Sequence, residues 1–470
     1  MNATGTTGTA GAPRSDFGSR LKQAVTGDSG TPLVFLGNFE VEEVWARGEH
    51  TLPRFSAASG SAVVNRMDEF ALLLAGEGDH VVLKTAPDPD YLAYLRSLGL
   101  ALPTLHVVAA QDSQRNVTQD VLADPALLER LRALAAQGAR LLPHGVSVLE
   151  EELSRQTGLP LAGAGADLAK AVNSKIYSRR AADELGLRQP AGWTCENVDE
   201  LAEALGHARD LIDQGRRTVV KEAFGVSGKG IVVLENKRWT ERVLRMVRQS
   251  VERSGEPRIA FVVEEWVPHR GDLNYQFTVG RDQQVHFDFV KRAVTENGVH
   301  KGHRFPAHLT DGQLVAVHDA AQALGKRLAA DGYTGVVGVD ALLDDADGIW
   351  PVLEINARNN MSTYQVRLQE HLVGTGRVAL ARHYPVRLDR PLGFARLREL
   401  LGDLVLPGPG GSGLLVNNFA TVNAGSGVNP GEPFDGRLYG ILVAASAAEL
   451  TALDEGITAR LVAEGVSNAR

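Results

Sequence analysis

The stretch "VLEINARNN" (residues 352–360) opens as an ordinary apolar strand and ends as something else. Glu354, Asn356 and Arg358 fall at every second position, separated only by Ile355 and Ala357. A strand sends residues i, i+2 and i+4 to one face, so one face carries a carboxylate, an amide and a guanidinium in a row. Upstream, Asp340 follows the apolar run "TGVVGV", and "ALLDDADGIWP" then has the length of a hairpin returning to the same end. That hairpin would set Asp340 beside Glu354 and Asn356. The resulting all-oxygen set suits Mg²⁺, which prefers hard ligands and completes its shell with water and substrate phosphates. Arg358 cannot ligate a metal but can stabilise charge building on a phosphoryl or acyl oxygen. The plain alternative is the polar outer face of an edge strand.

A second feature lies upstream. "KEAFGVSGKGI" (221–231) places Gly225, Gly228 and Gly230 between two strands, with Ser227 and Lys229 inside the loop. Glycines let the backbone approach closely, and successive N–H groups can cradle phosphate oxygens. The spacing is not that of a Walker A loop, and no helix follows to make a dinucleotide fingerprint. Alone, the loop would read equally as a glycine-rich hairpin. Lys221 ends the preceding strand and could meet a phosphate as a point charge. Further on, "VVEEWV" (262–267) ends a strong β run in two carboxylates, costly to bury without donors; a nucleobase amino group and a ribose hydroxyl are suitable donors, and surface exposure is the alternative.

Bulk properties frame these motifs. The chain has 470 residues, more than one ordinary core holds, so two to four domains are expected. A net charge of −8 argues against a nucleic-acid footprint while leaving room for local anion sites. The single cysteine, Cys195, rules out an intrachain disulfide and is read as a small buried or half-buried side chain. No window approaches the roughly 18 consecutive apolar residues of a membrane span. The Gly/Thr/Ala-rich start lacks the pattern of a signal peptide. A disordered leader over residues 1–30 and a cytoplasmic location are expected.

Short strands alternating with helical patterns from "TPLVFLGNFEVEE" (31–43) onward predict a parallel α/β domain over 31–164. Asn38, just past its first strand, is either a turn former or a ligand contact at the sheet's carboxyl edge. Residues 165–378 predict an α+β domain of mostly antiparallel strands, beginning with the helical "LAKAVNSKIYSRRAADELGL". The Pro/Gly-rich "PGPGGSG" (407–413) reads as a linker or mobile loop within a small C-terminal α/β unit, 379–470.

Together these parts resemble the ATP-grasp superfamily over about residues 165–375. The resemblance implies a pre-ATP-grasp domain, an ATP-grasp domain and a small C-terminal domain, with ATP and Mg²⁺ as cofactors. It makes Lys175 and Lys221 the nucleotide-contacting lysines and Gly225, Ser227, Gly228, Lys229 and Gly230 the phosphate-covering loop. Glu264 would meet the adenine amino group, with the backbone of Glu265 and Val267; Asp272, in "HRGDLNYQF", would meet the ribose. Asp340, Glu354 and Asn356 match the metal ligands and Arg358 the family's closing arginine. Two departures stand out: Glu222 follows the second lysine where many members have proline, and Gly338 stands where many have an arginine. Lys291, Arg292 or Arg304 would then meet the acyl phosphate.

The whole chain looks most like the pheganomycin-type peptide ligases. That implies joining an amino-acid carboxylate to the amino group of a peptide or amino acid through an acyl phosphate, releasing ADP and phosphate, in natural-product biosynthesis. The rivals are an ATP-grasp carboxylase and a non-catalytic regulatory ATP-binding protein. The expected partners are small molecules, with no nucleic acid and no membrane, and a homodimer is the common symmetric assembly.

Overall fold

The computed structural model describes residues 16–52, 61–225, 230–296, 299–374, 376–426 and 431–466. Four short apolar runs become parallel strands β1 (Leu33–Leu36), β2 (His80–Leu83), β3 (Thr104–Val107) and β4 (Arg140–Pro143), ordered β3-β2-β1-β4. Several helices between them start where a side chain caps free N–H groups. Asp88 and Asp124 each accept from the first turn of a helix that begins with proline, Pro89–Ser97 and Pro125–Ala136.

The expectation of a disordered leader through residue 30 is corrected here. Phe17–Thr26 is a helix, capped by Asp16 and closed by a left-handed Gly27. Phe17, Leu21, Ala24 and Val25 recur at helical spacing and are buried, so the segment is held by an apolar stripe. Residues 1–15 lie outside the described residues.

The middle of the chain forms an antiparallel sheet of β5 (Gly192–Cys195), β6 (Thr218–Glu222), β7 (Ile231–Leu234) and β8 (Phe261–Glu265), ordered β5-β8-β6-β7. Helices Val198–Asp213 and Lys237–Ser254 cover one face. Cys195 lies in that core, unpaired and buried.

The third sheet holds the remaining strands: β9 (Gly271–Val279), β10 (Val285–Glu296), β11 (Val299–Phe305), β12 (Gly335–Leu343), β13 (Ile349–Asn356), β14 (Val378–Leu388), β15 (Gly413–Asn418) and β16 (Phe434–Ala444). Their order is β13-β12-β9-β10-β11-β14-β16-β15, antiparallel at every pairing. The C-terminal α/β unit therefore shares its sheet with the ATP-grasp-like region, through β11 and β14. On β9, Leu273, Tyr275, Phe277 and Val279 pack with Val337 and Val339 of β12 and Leu324 of helix Asp311–Ala330. Alternation sends Asp272, Asn274, Gln276 and Thr278 to the other face. Among the described residues no helix is long and apolar enough to cross a membrane.

Candidate active site

The hairpin β12–β13 sets Asp340 directly opposite Glu354, and Gly338 opposite Asn356. On the other side of β12, Asp340 faces Asn274 of β9. Both Asp340 oxygens accept from amides: Oδ1 from Asn274 Nδ2 at 2.9 Å and Oδ2 from Asn356 Nδ2 at 3.3 Å. Asp340 keeps some surface toward the cleft, yet protein encloses it closely. Burial and the neighbouring Glu354 carboxylate push its pKa up to about 6, against the pull of Asn274, Arg358 and Asn356. Two carboxylates and an amide share this face, with oxygen lone pairs free for a hard cation; among the described residues no third carboxylate, histidine or cysteine joins them.

The single helix expected over 168–187 is broken, giving Ala166–Val172 and Lys175–Glu184. Ser174 caps the second, and Asn173 Nδ2 donates to Ala357 O at 3.1 Å, which fixes the break against the end of β13. Lys175 consequently starts its helix beside the carboxylates. Its buried ammonium donates to Glu354 Oε1 at 2.7 Å and to Gly225 O at 2.8 Å. Lys221, across on β6, pairs with Glu264 of β8. Burial lowers the affinity of Lys221 for its proton, but Glu264, Glu354 and Asp340 more than reverse this, so its pKa is raised. Glu265 is turned toward Arg216, whose Nε donates to it at 2.6 Å, and Val267 offers its carbonyl to His269 Nδ1 at 3.1 Å. Asp272 lies 3.3 Å from His269 Nε2, a hydrogen bond that raises the histidine pKa.

Of the phosphate-loop residues, Ser227, Gly228 and Lys229 lie outside the described residues. The far end of the loop shows why it is a glycine. A Cβ on Gly230, at φ +79°, would stand 2.4 Å from Glu222 Oε2. Glu222 thus has a structural task at the position where many relatives carry proline: its backbone N–H donates to Gly230 O at 2.8 Å and its Oε1 accepts from Leu52 N at 2.6 Å. Gly338 has a comparable reason. A Cβ there would meet Asn360 Nδ2 at 2.3 Å, so an amide from the "ARNN" tail fills the space an arginine would need.

The three basic candidates part company. Lys291 pairs with Asn274 in the β9–β10 register and so shares the face of Asp340. It is fully buried, donates to Ser362 O at 3.1 Å and Gln365 Oε1 at 3.2 Å, and burial lowers its pKa well below the ordinary lysine value. Arg292 and Arg304 oppose one another across β10 and β11, and alternation turns them to the other side of the sheet. With Arg270 and Asp272 they line a cavity of about 340 Å³.

Arg358 Nη2 donates to Asn356 Oδ1 at 3.0 Å, while its Nε donates to Glu42 of the N-terminal domain at 2.8 Å. Burial pulls the guanidinium's pKa down, but Glu42, Glu354 and Asp340 raise it overall. Asn359 continues the contact: its N–H donates to His144 O at 3.1 Å and its Nδ2 to Pro143 O at 3.2 Å. Asn38 is a bridge within the N-terminal domain, donating to Gly145 O at 2.8 Å and accepting from His144 N at 2.9 Å.

Sequence reading missed Asn274, Asn360, Ser362 and Glu42. For Asn274 a signal existed, since "DLNYQFT" alternates polar and apolar residues and Asp272 was already singled out. Ser362 Oγ donates to Asn274 Oδ1 at 2.6 Å, extending the polar face away from the carboxylates.

Residues 67–159 match the family model of the pre-ATP-grasp domain and residues 172–362 that of the ATP-grasp domain. The chain is 26% identical over 326 residues to the [butirosin acyl-carrier protein]–L-glutamate ligase of Niallia circulans, covering 69% of this chain and 71% of the relative. In fold it is similar to biotin carboxylase from Campylobacter jejuni (TM-score 0.52, 13% identity, 90% of this chain and 89% of that one). It is similar also to an ADP complex of N5-carboxyaminoimidazole ribonucleotide synthetase (TM-score 0.50, 14% identity, 91% of this chain and 96% of that one).

Asp340 and Glu354, opposed without a cation, repel. Asp340→Asn should therefore raise the melting temperature in EDTA by a few degrees at pH 7.5. Because the folded-state pKa of about 6 lies above the ordinary 3.8, the cost of ionising Asp340 is complete above pH 6 and absent below 3.8. The stabilisation should shrink accordingly as pH falls through that window, as calorimetry at several pH values would record.

Proposed function

We propose that this chain, an ATP-grasp ligase that forms carbon–nitrogen bonds with release of ADP, joins an amino-acid carboxylate to an amine through an acyl phosphate. The observation that carries the reading is the convergence of Asp340, Glu354 and Asn356 with Lys175, while Lys221 faces them from the second sheet. The amine would belong to an amino acid or a short peptide in natural-product biosynthesis. The relative named for L-glutamate and an acyl-carrier protein adds a carrier-bound acceptor. Likeness to two carboxylating or carboxylase enzymes supports the fold alone.

In this reading Lys175 and Lys221 exchange their present carboxylate partners for phosphate oxygens of ATP. Asp340, Glu354 and Asn356 would hold Mg²⁺, which when bound supplies charge neutralisation at the phosphates. A substrate carboxylate oxygen attacks the γ-phosphorus, and the bond to the β-phosphate oxygen breaks, leaving ADP. The amine nitrogen then attacks the acyl carbon, loses a proton, and phosphate departs. Arg358 would steady the oxyanion formed in that second step. The backbone around Gly225 and Gly230 frames the phosphate-covering loop, and Asp272 with the Glu264–Val267 segment would contact the nucleoside. Lys291 acts beneath the surface by fixing the segment that carries Ser362; Arg292 and Arg304 line the neighbouring cavity.

Incubation of the purified protein with ATP, Mg²⁺ and a pool of amino acids, peptides and carrier-bound amines should yield ADP and phosphate only with the pool. A product one water lighter than its two substrates should accompany them. AMP and pyrophosphate would overturn the reading. Glu354→Ala should lose at least about 100-fold in ATP turnover with an unchanged circular dichroism spectrum. Lys221→Ala should raise the apparent KM for ATP roughly tenfold, which initial rates at varied ATP would measure.

A further inference from the structure

Glu42 lies on the short helix Val41–Trp45, immediately after β1, and belongs to no motif that the sequence offers. Its carboxylate meets the guanidinium of Arg358, 316 residues away, and both side chains are largely shielded, 16% and 12% exposed. The guanidinium has five N–H donors. Nε and one Nη2 hydrogen go to Glu42 Oε1, the other Nη2 hydrogen to Asn356 Oδ1, and one Nη1 hydrogen to Asn359 O at 3.0 Å. Among the described residues one Nη1 N–H is left over, held in a fixed direction by the other four.

The platform that carries Glu42 is itself rigid. Val41 and Trp45 are buried, and Trp45 Nε1 donates to Val146 O at 2.9 Å. That loop is the one Asn359 grips through the His144 carbonyl and Asn38 braces from β1. An exposed ion pair would carry little weight. Here a shielded carboxylate from a separate domain fixes a shielded guanidinium, and removing either charge strands the other.

We infer that Glu42 is a positioning residue for the amide-forming step, an inference that rests on the role proposed above for Arg358. It touches no reacting atom. It aims the free Nη1 donor, so that the acyl group passes to the amine rather than to water. Once Glu42 loses its charge, the guanidinium turns, acyl phosphate still forms, and more of it is hydrolysed.

The test uses the full chain with Glu42→Gln, which keeps size and an acceptor oxygen, and Glu42→Asp, which keeps the charge. In the wild type one ADP should accompany each amide. Glu42→Gln should lower amide kcat roughly 10- to 100-fold and raise the ADP-to-amide ratio several-fold, with KM for ATP within about twofold; Glu42→Asp should recover part of the loss. A second readout needs no substrate. The ¹⁵N-attached Nε–H signal of Arg358, assigned by its loss in Arg358→Lys, should exchange slowly with water in the wild type and at least about tenfold faster in Glu42→Gln. Unchanged exchange and an unchanged ratio in Glu42→Gln would overturn the inference. Absence of amide from the wild type would instead count against the ligase chemistry proposed above, while the exchange rates still decide whether Glu42 holds Arg358.

Discussion

Two carboxylates face each other across antiparallel strands, and the surrounding structure is organised around that unfavourable contact. The β12–β13 register leaves Asp340 no other neighbour than Glu354 on one side and Asn274 on the other. Like charges so placed destabilise a sheet. The fold offsets the cost locally with two amide donors to Asp340 and the Lys175 ammonium on Glu354. A protein that needed only stability would replace one of the acids. Keeping both acids in contact is the feature on which the proposed site for a cation and its polyphosphate rests.

The same face explains why three sheets are needed. Lys175 reaches Glu354 because the helix break at Asn173 is tied to Ala357, at the end of the very strand that carries the acid. Glu222 ties the base of the glycine loop to Leu52 of the N-terminal region. His144 and Pro143, at the carboxyl edge of the parallel sheet, accept from Asn359. The helix that carries Lys175 and the N-terminal domain are thus both fastened within a few residues of Glu354, through Ala357, Arg358 and Asn359. The basic residues divide by depth: Lys291 is buried under the polar face, whereas Arg292 and Arg304 open onto the cavity that Asp272 also lines.

Much of this was legible in the sequence wherever strand periodicity was clean. Alternation in 352–358 and the length of the intervening hairpin were enough to place Asp340, Glu354 and Asn356 together. Alternation in "DLNYQFT" would have added Asn274 had it been followed past Asp272. What escaped had physical causes. The helix Phe17–Thr26 is preceded by a Gly/Thr/Ala-rich stretch, and its apolar stripe is four residues wide, so composition masked it. Glu222 and Gly338 looked like departures from a family pattern because their partners, Gly230 and Asn360, are supplied by backbone geometry and by a tail residue. Glu42 pairs with an arginine 316 residues away, and no local periodicity encodes such a contact.

The most direct test of the central claim, that a carboxylate is activated as an acyl phosphate on this face, follows oxygen. A donor amino acid labelled with ¹⁸O in both carboxylate oxygens would be turned over with ATP and an accepting amine, and the inorganic phosphate examined by mass spectrometry. Transfer of one ¹⁸O into phosphate, with none in AMP, is the predicted result. Label appearing in AMP, or phosphate free of label while amide accumulates, would contradict it.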